Sequence, residues 1–297
     1  MKVLCFGSVN IDHTYRVTHF TAPGETQTCK DYRIGRGGKG FNQALAVRQA
    51  GVETYFAGMI GEDGLFVKEF LSERNVDTEL LRIAPVPTGH AVIEVDIHGQ
   101  NRIMLFPGAN HRIDTPFIDE VLSHFSAGDI VVLQNEISGL PYIMEESRKK
   151  GMTVIFNAAP CGAEVASYPI GMADWLVVNE VEGAYLSGET AYDAIPEALR
   201  AKYPGVSVLL TLGGEGCRAV TDTEDISLPA KKVTVVDTTG AGDTFIGYFV
   251  KGLVEGMTLR ERLSLATAAS AVAVTRPGGG DSVPTYEEVL DSGLLSL

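Results

Sequence analysis

Four short apolar runs, Ile130 to Leu133, Thr153 to Phe156, Trp175 to Val178 and Val206 to Leu210, alternate with segments of helical spacing around Pro141 to Lys150, Val181 to Leu186 and Asp193 to Tyr203. A strand that is apolar along its whole length has to be covered on both faces. Successive strands separated by helices pair in parallel, because the crossover returns the chain to the same end of the sheet. The alternation therefore predicts an α/β fold with a central, mostly parallel sheet between layers of helices. The N-terminal part reads the same way: a strand at Val3 to Phe6, a helix over Phe41 to Ala50, a short strand at Thr54 to Ala57 and a helix over Leu65 to Arg74. After the first strand, Gly7 and the polar residues Asn10 to Asp12 read as a loop able to present groups to a ligand.

One stretch departs from the rhythm. His90 to Asp96 and Arg102 to Phe106 alternate with period two around the turn sequence Ile97-His-Gly-Gln-Asn101, the pattern of a β-hairpin. With strands expected around Tyr15 and Tyr32, it forms either a small β appendage over a cleft or an ordinary edge hairpin. The 297 residues suit one large α/β domain with such an appendage.

Charge narrows the partners. The chain carries 24 basic and 38 acidic residues, a net charge of -14, which argues against nucleic acid and anionic membranes but leaves room for a local anion pocket. Four scattered cysteines make neither a disulfide scaffold nor a CxxC metal pair. The N-terminus has no signal-peptide pattern and no run approaches the about 18 apolar residues of a membrane span, so a cytoplasmic protein is expected.

Several small-residue loops follow expected strands. Val233 to Val236 reads as a strand leading into Asp237-Thr-Thr-Gly-Ala-Gly-Asp243 and a helix through Val250, with a second helix over Leu259 to Val274. Small residues allow a phosphate to approach the backbone, and the first N–H groups of the helix stabilise its charge. Asp243 is then either a helix cap or a base that accepts a proton from a hydroxyl attacking phosphorus. Gly35-Arg-Gly-Gly-Lys-Gly-Phe-Asn-Gln-Ala44 is not a Walker A loop, since Gly40 follows Lys39. It reads as a glycine turn with an exposed lysine or as a site in which Lys39 brings charge and Asn42 orients hydroxyls. Asn179-Glu-Val-Glu182 suits a helix cap or a water-bridged Mg²⁺ site. Thr211 to Gly216 suits a tight turn or donors along a nucleotide.

Together these blocks resemble the PfkB carbohydrate kinase family, most closely its ribokinase branch. The resemblance runs from GSVNID at residues 7–12 through GRGGKGFNQA, NAAP at 157–160, NEVE and TLGGEG to VDTTGAGDTF at 236–245 and VTRPGGGDSVP at 274–284. It implies a ribokinase-like three-layer sandwich with a small β lid from segments near 13–34 and 89–106, the lid also forming a homodimer contact. It implies ATP-dependent phosphorylation of a sugar, with D-ribose to D-ribose 5-phosphate favoured over fructose, a related sugar or a nucleoside. A non-catalytic ligand sensor is the reading from another class.

The resemblance makes Asp243 the catalytic base and Gly240, Ala241 and Gly242 the anion hole. Asn10, Asp12, Gly38, Lys39, Asn42 and Glu136 match the sugar side, and Asn179, Thr211, Gly213 and Gly242 the ATP side. Read alone, Asn10 and Asp12 serve equally as turn stabilisers and Glu136 as a solvated helix cap. Glu182 would hold Mg²⁺ through water. A monovalent cation, K⁺, would sit by Asp237 and Thr239 with Ala273, Arg276 through its carbonyl, Gly278 and Ser282, unless these residues only maintain a turn. Two positions depart from the pattern: Ala266 stands where an asparagine near the base is common, and Phe41 where alanine is common.

Overall fold

In the computed structural model, residues 1–295 are described. The first third of the chain forms β1 (Val3–Phe6), β2 (Asn10–Arg16), β3 (Asp31–Gly37), α1 (Lys39–Gln49), β4 (Thr54–Ile60), α2 (Leu65–Glu73), β5 (Leu81–Ile83), β6 (Gly89–Val95) and β7 (Asn101–Phe106). The middle forms α3 (Thr115–Ser123), β8 (Ile130–Gln134), α4 (Leu140–Lys149), β9 (Thr153–Asn157), β10 (Trp175–Asn179), α5 (Glu180–Ser187), α6 (Ile195–Lys202) and β11 (Ser207–Thr211). The remainder forms β12 (Cys217–Val220), β13 (Asp225–Leu228), α7 (Ala241–Val254), α8 (Leu259–Ala273) and α9 (Tyr286–Asp291).

Nine strands make the central sheet in the order β13-β12-β11-β10-β9-β8-β1-β4-β5. It is parallel from β11 to β5, and β12 and β13 are antiparallel additions at one edge. The inner strands are largely apolar because each serves two cores, whereas the edge strands β5 and β13 are partly exposed. Successive side chains point to opposite faces: Val3, Cys5, Ile130 and Val132 pack with Leu45, Phe70, Phe249 and Leu263 of α1, α2, α7 and α8. Leu4, Phe6, Val131 and Leu133 pack with Phe117, Ile143, Leu186 and Leu199 of α3 to α6. This is the three-layer α/β sandwich expected.

The hairpin of β6 and β7 lies outside the central sheet. With β3 and β2 it makes a second sheet, ordered β3-β2-β6-β7, in which β2 runs antiparallel to β3 and parallel to β6. Two expectations need correction here. Asn10 to Asp12 is not a loop: it opens β2, with Asn10 opposite Gly37 and Gly89, and Asp12 opposite Gly35 and Ala91. Polar side chains there do not preclude a strand, because partners on both sides satisfy the backbone. Val233 to Val236 forms no strand. It joins neither sheet, Val235 and Val236 are exposed, and the N–H groups of Val236 and Asp237 both donate to the Val274 carbonyl. A β-like composition whose backbone bonds to a helix end instead of to a neighbouring strand does not make a strand. Among the described residues, no helix is long and apolar enough to cross a membrane.

Candidate active site

The site lies where the N-termini of α1 and α7 meet beyond the ends of the parallel strands, the usual ligand position in open α/β sheets. Gly240 caps α7 in a left-handed conformation with φ 74°, and a Cβ there would come within 3.0 Å of the Gly279 backbone. Only glycine meets both demands. Asp243 follows in the first turn, buried. Its Oδ2 accepts from Asn42 Nδ2 at 2.9 Å and its Oδ1 from Gln43 Nε2 at 2.9 Å. The helix-cap alternative does not describe this carboxylate: both of its oxygens are taken up by side-chain amides of another helix.

Gly38 precedes α1 with φ 94°. The Lys39 N–H donates to Glu136 Oε2 at 2.9 Å and the Gly40 N–H to Ser8 Oγ at 3.2 Å, while Ser8 Oγ in turn donates to Glu136. Glu136 is thus a cap, but for α1 rather than for the helix that follows it in sequence. Beside Gly38, Asn10 Oδ1 accepts from Asn110 Nδ2 at 2.9 Å. Asp12 faces Gly35 and Gly37, where a Cβ on Gly37 would lie 2.8 Å from the Asp12 carboxyl carbon.

A cleft of about 230 Å³ brings Lys39, Asn179, Glu182, Thr211, Gly240, Gly242 and Asp243 together. Asn179 and Glu182 also form a reciprocal cap: Asn179 Oδ1 accepts from the Val181 and Glu182 N–H groups at 2.9 Å, and Glu182 Oε2 accepts from the Asn179 N–H at 2.9 Å. The cap orients both side chains at the cleft wall, so serving as a cap does not take them out of the cleft. Gly213 is not a wall of this cleft. It lies in the exposed turn Gly213–Glu215 beyond β11. Burial works against the Lys39 ammonium, but the carboxylates of Asp243, Glu136 and Glu182 outweigh it and hold its pKa above the ordinary lysine value. Lys39 is therefore a cation in the cleft. Burial raises the Glu182 carboxyl above its usual range.

Beside the α7 N-terminus, Asp237 Oδ1 accepts from the Thr239 N–H at 2.9 Å and Oγ1 at 2.7 Å, and Oδ2 from the Gly278 N–H at 2.9 Å. Burial alone would raise Asp237, but these donors outweigh it and hold the carboxyl below its usual range. Ser282, buried, donates to the Gly279 carbonyl at 2.8 Å. The Arg276 N–H donates to the Ala273 carbonyl at 3.1 Å, while the Arg276 side chain turns away to Glu288 at 2.7 Å. Of the two departures, Ala266 is wholly buried in the core, whereas Phe41 packs under the terminal loop, 2.6 Å from where a Gly280 Cβ would stand.

Four residues of the site carried no signal that was read from the sequence. Ser8, Gln43, Asn110 and Gln134 enter only through the hydrogen bonds that place them. Gln43 adjoins Asn42 in the glycine-rich block, and its proximity to a catalytic candidate was the available clue.

Asp12 yields a pH test. Burial, with Glu136 next, pushes its carboxyl from 3.8 up to about 6. Between those values the folded chain holds a proton that the unfolded chain releases. Asp12 therefore favours folding at low pH, and this contribution is lost as pH rises through about 6. Asp12→Asn is expected to gain on the parent by on the order of 2 kcal/mol between about pH 4 and pH 7. A difference in urea midpoints that stays flat over that range refutes the shift.

Residues 1–286 match the model of the pfkB family carbohydrate kinases. The chain belongs to that family. A ribokinase from Haemophilus influenzae is 33% identical over 295 residues, covering 96% of each chain. Among solved structures, ribokinase from Thermotoga maritima superposes with a TM-score of 0.86 at 37% identity, covering 98% of both chains. Arabidopsis thaliana ribokinase complexed with ribose and ATP has a TM-score of 0.86 at 32% identity, covering 100% of this chain and 98% of that one. As a pfkB carbohydrate kinase, the chain is a sugar phosphotransferase that uses ATP as co-substrate.

Proposed function

We propose that this pfkB kinase is a ribokinase, transferring the γ-phosphoryl group of ATP to D-ribose to give D-ribose 5-phosphate. The observation that carries the reading is the Asp243 carboxylate, held by Asn42 and Gln43 at the N-terminal turn of α7, in one cleft with Lys39. Asp243 takes the proton of the attacking hydroxyl. The N–H groups of Gly240, Ala241 and Gly242 stabilise charge on the transferring group, and the Lys39 ammonium adds to that stabilisation. Asn10, Asp12, Gly38, Lys39, Asn42 and Glu136 hold the sugar, mixing carboxylates with amides as several hydroxyls require. Asn179, Thr211 and Gly242 line the ATP side, with Gly213 further along the same loop.

The metals follow from the donor chemistry. Among the described residues no group of three or more His, Cys, Asp or Glu side chains could enclose a metal ion, so the site suits Mg²⁺ only as a hydrated ion on the ATP phosphates, with Glu182 acting through water. When bound, Mg²⁺ supplies charge neutralisation at the phosphates. Asp237 and the carbonyl-rich loop with Thr239, Ala273, Arg276, Gly278 and Ser282 suit a weakly hydrated K⁺.

The second sheet serves as a lid, because Asn10 and Asp12 on its β2 pair with β3, which runs through Gly38 straight into Lys39 of the cleft. Its edge strand β7 exposes Ile103, Met104, Leu105 and Phe106, the kind of surface that pairs with a second copy. A homodimer through the lid is the reading, checked by sedimentation. The four free cysteines fit a reducing, cytoplasmic setting.

A panel of acceptors tests the assignment. ADP formation with Mg²⁺ is expected to be fastest per KM with D-ribose, ahead of 2-deoxyribose, fructose and nucleosides, and to fall when Na⁺ replaces K⁺. A clear preference for another acceptor overturns ribose as substrate. Equal rates in both salts overturn the cation site.

A further inference from the structure

Two glutamines occupy places where apolar residues would cost less. Gln43 on α1 and Gln134 at the end of β8 are both 0% exposed, and a buried amide is unfavourable unless its groups are bonded. Gln134 Nε2 donates to Gln43 Oε1 at 2.8 Å and to the Val132 carbonyl at 3.3 Å. Gln43 Nε2 then donates to Asp243 Oδ1 at 2.9 Å.

This chain of donors runs in only one direction. A main-chain carbonyl accepts and never donates, so Gln134 has to turn its NH₂ group toward Val132 and Gln43. Gln43 accordingly keeps its oxygen toward Gln134 and its NH₂ toward the carboxylate. Reversing either amide would set oxygen against oxygen. The arrangement even leaves Gln134 Oε1 buried without a partner, a cost that packing alone does not explain.

Asn42, the other donor to Asp243, differs. Its Oδ1 is buried and unpartnered, and its side chain lies 3.3 to 3.5 Å from where Cβ atoms on Gly279 and Gly280 would stand. One half of its amide is thus uncommitted, as a group that also meets substrate requires. Gln43, enclosed between Gln134 and Asp243, has both ends committed.

We propose that Gln43, clamped by Gln134, is the positioning residue for Asp243. It holds Oδ1 by a charge-assisted hydrogen bond and so fixes the carboxylate plane, and the second lone pair of Oδ2, beside the one that meets Asn42, receives the proton of the acceptor hydroxyl. Neither glutamine touches substrate or takes up a proton. The proposal rests on Asp243 being the base.

Gln43→Met keeps the side-chain length and removes the donor. It is expected to lower kcat about 10- to 100-fold with ribose and ATP KM values within about twofold, while Gln134→Met lowers kcat about 3- to 10-fold. The deciding measurement repeats both changes in an Asp243→Asn background, following residual transfer of labelled phosphate. With no carboxylate left to aim, each is expected to change the residual rate by less than about twofold. If Asp243→Asn is severely impaired but Gln43→Met multiplies its loss in full, the positioning role is overturned and the base assignment stands. Near-parental turnover by Asp243→Asn overturns both. Should Gln43→Met fail to fold, Gln134→Met in the same two backgrounds gives the same decision.

Discussion

Replacing Asp243 with asparagine is expected to lower kcat by about 10³-fold, within the range of about 10²- to 10⁴-fold for loss of a general base, with the KM values for ribose and ATP changed only a few-fold. The substitution keeps the side-chain shape and removes the group proposed to take the proton. It also disturbs the amide cradle. Asn42 and Gln43 each present an NH₂ group to one carboxylate oxygen, so an asparagine there satisfies one donor and meets the other with an NH₂ of its own. A small loss of stability should therefore accompany the kinetic loss, visible in a urea titration. The cleft groups Lys39, Asn179 and Thr211 are untouched, which is why binding survives. Steady-state kinetics on folded protein decides the matter, and turnover within about tenfold of the parent refutes the base role.

Gly247→Val should damage stability and catalysis together. Gly247 lies one turn beyond Asp243 on α7 and faces Ala46, one turn beyond Asn42 on α1. A Cβ at Gly247 would stand 2.7 Å from both the Ala46 carbonyl carbon and the Val47 nitrogen. These are backbone atoms of a buried helix, so α1 and α7 have to separate. Overpacking of this kind costs about 1 to 3 kcal/mol, and more where the backbone is forced to move. The same separation lengthens the hydrogen bonds from Asn42 and Gln43 to Asp243, both 2.9 Å in the parent. The expected result is a lowered urea midpoint and, in the fraction that remains folded, a kcat reduced by about tenfold or more. An unchanged kcat in the folded fraction would show that the helix spacing does not govern the site.

The strands β1 and β8 to β11 were legible because burial on both faces leaves an uninterrupted apolar run, a signal that needs no neighbours to interpret. Polar residues broke that signal. Asn10 and Asp12 read as a loop because they were judged by side chain, whereas their backbone is paired on both sides. Val233 to Val236 failed the opposite way: its residues favour a strand, but its backbone bonds to the Val274 carbonyl instead of to a strand. Within the site, glycine, lysine and carboxylate positions stood out because their chemistry is unusual at a strand end. Glu136 was singled out, yet its service to α1, 97 residues away in sequence, belongs to the tertiary fold. Gln43 and Gln134 were silent because an amide has neither charge nor a marked backbone preference. Their direction of donation exists only once Val132, Gln134, Gln43 and Asp243 are side by side.

The hydrogen bonds that hold Asp243 join residues 200 and 201 positions apart. Such closures are slow, since a long loop has to be ordered before its contacts stabilise anything. Amide donors near the beginning of the chain therefore wait for a carboxylate supplied by its last quarter. During synthesis the early strands and α1 are made before α7, and a chain folded only that far holds Asn42 and Gln43 without the carboxylate they cradle. Acquisition of activity is thus a late reporter of folding: regain of turnover after dilution from denaturant should trail the recovery of helical signal.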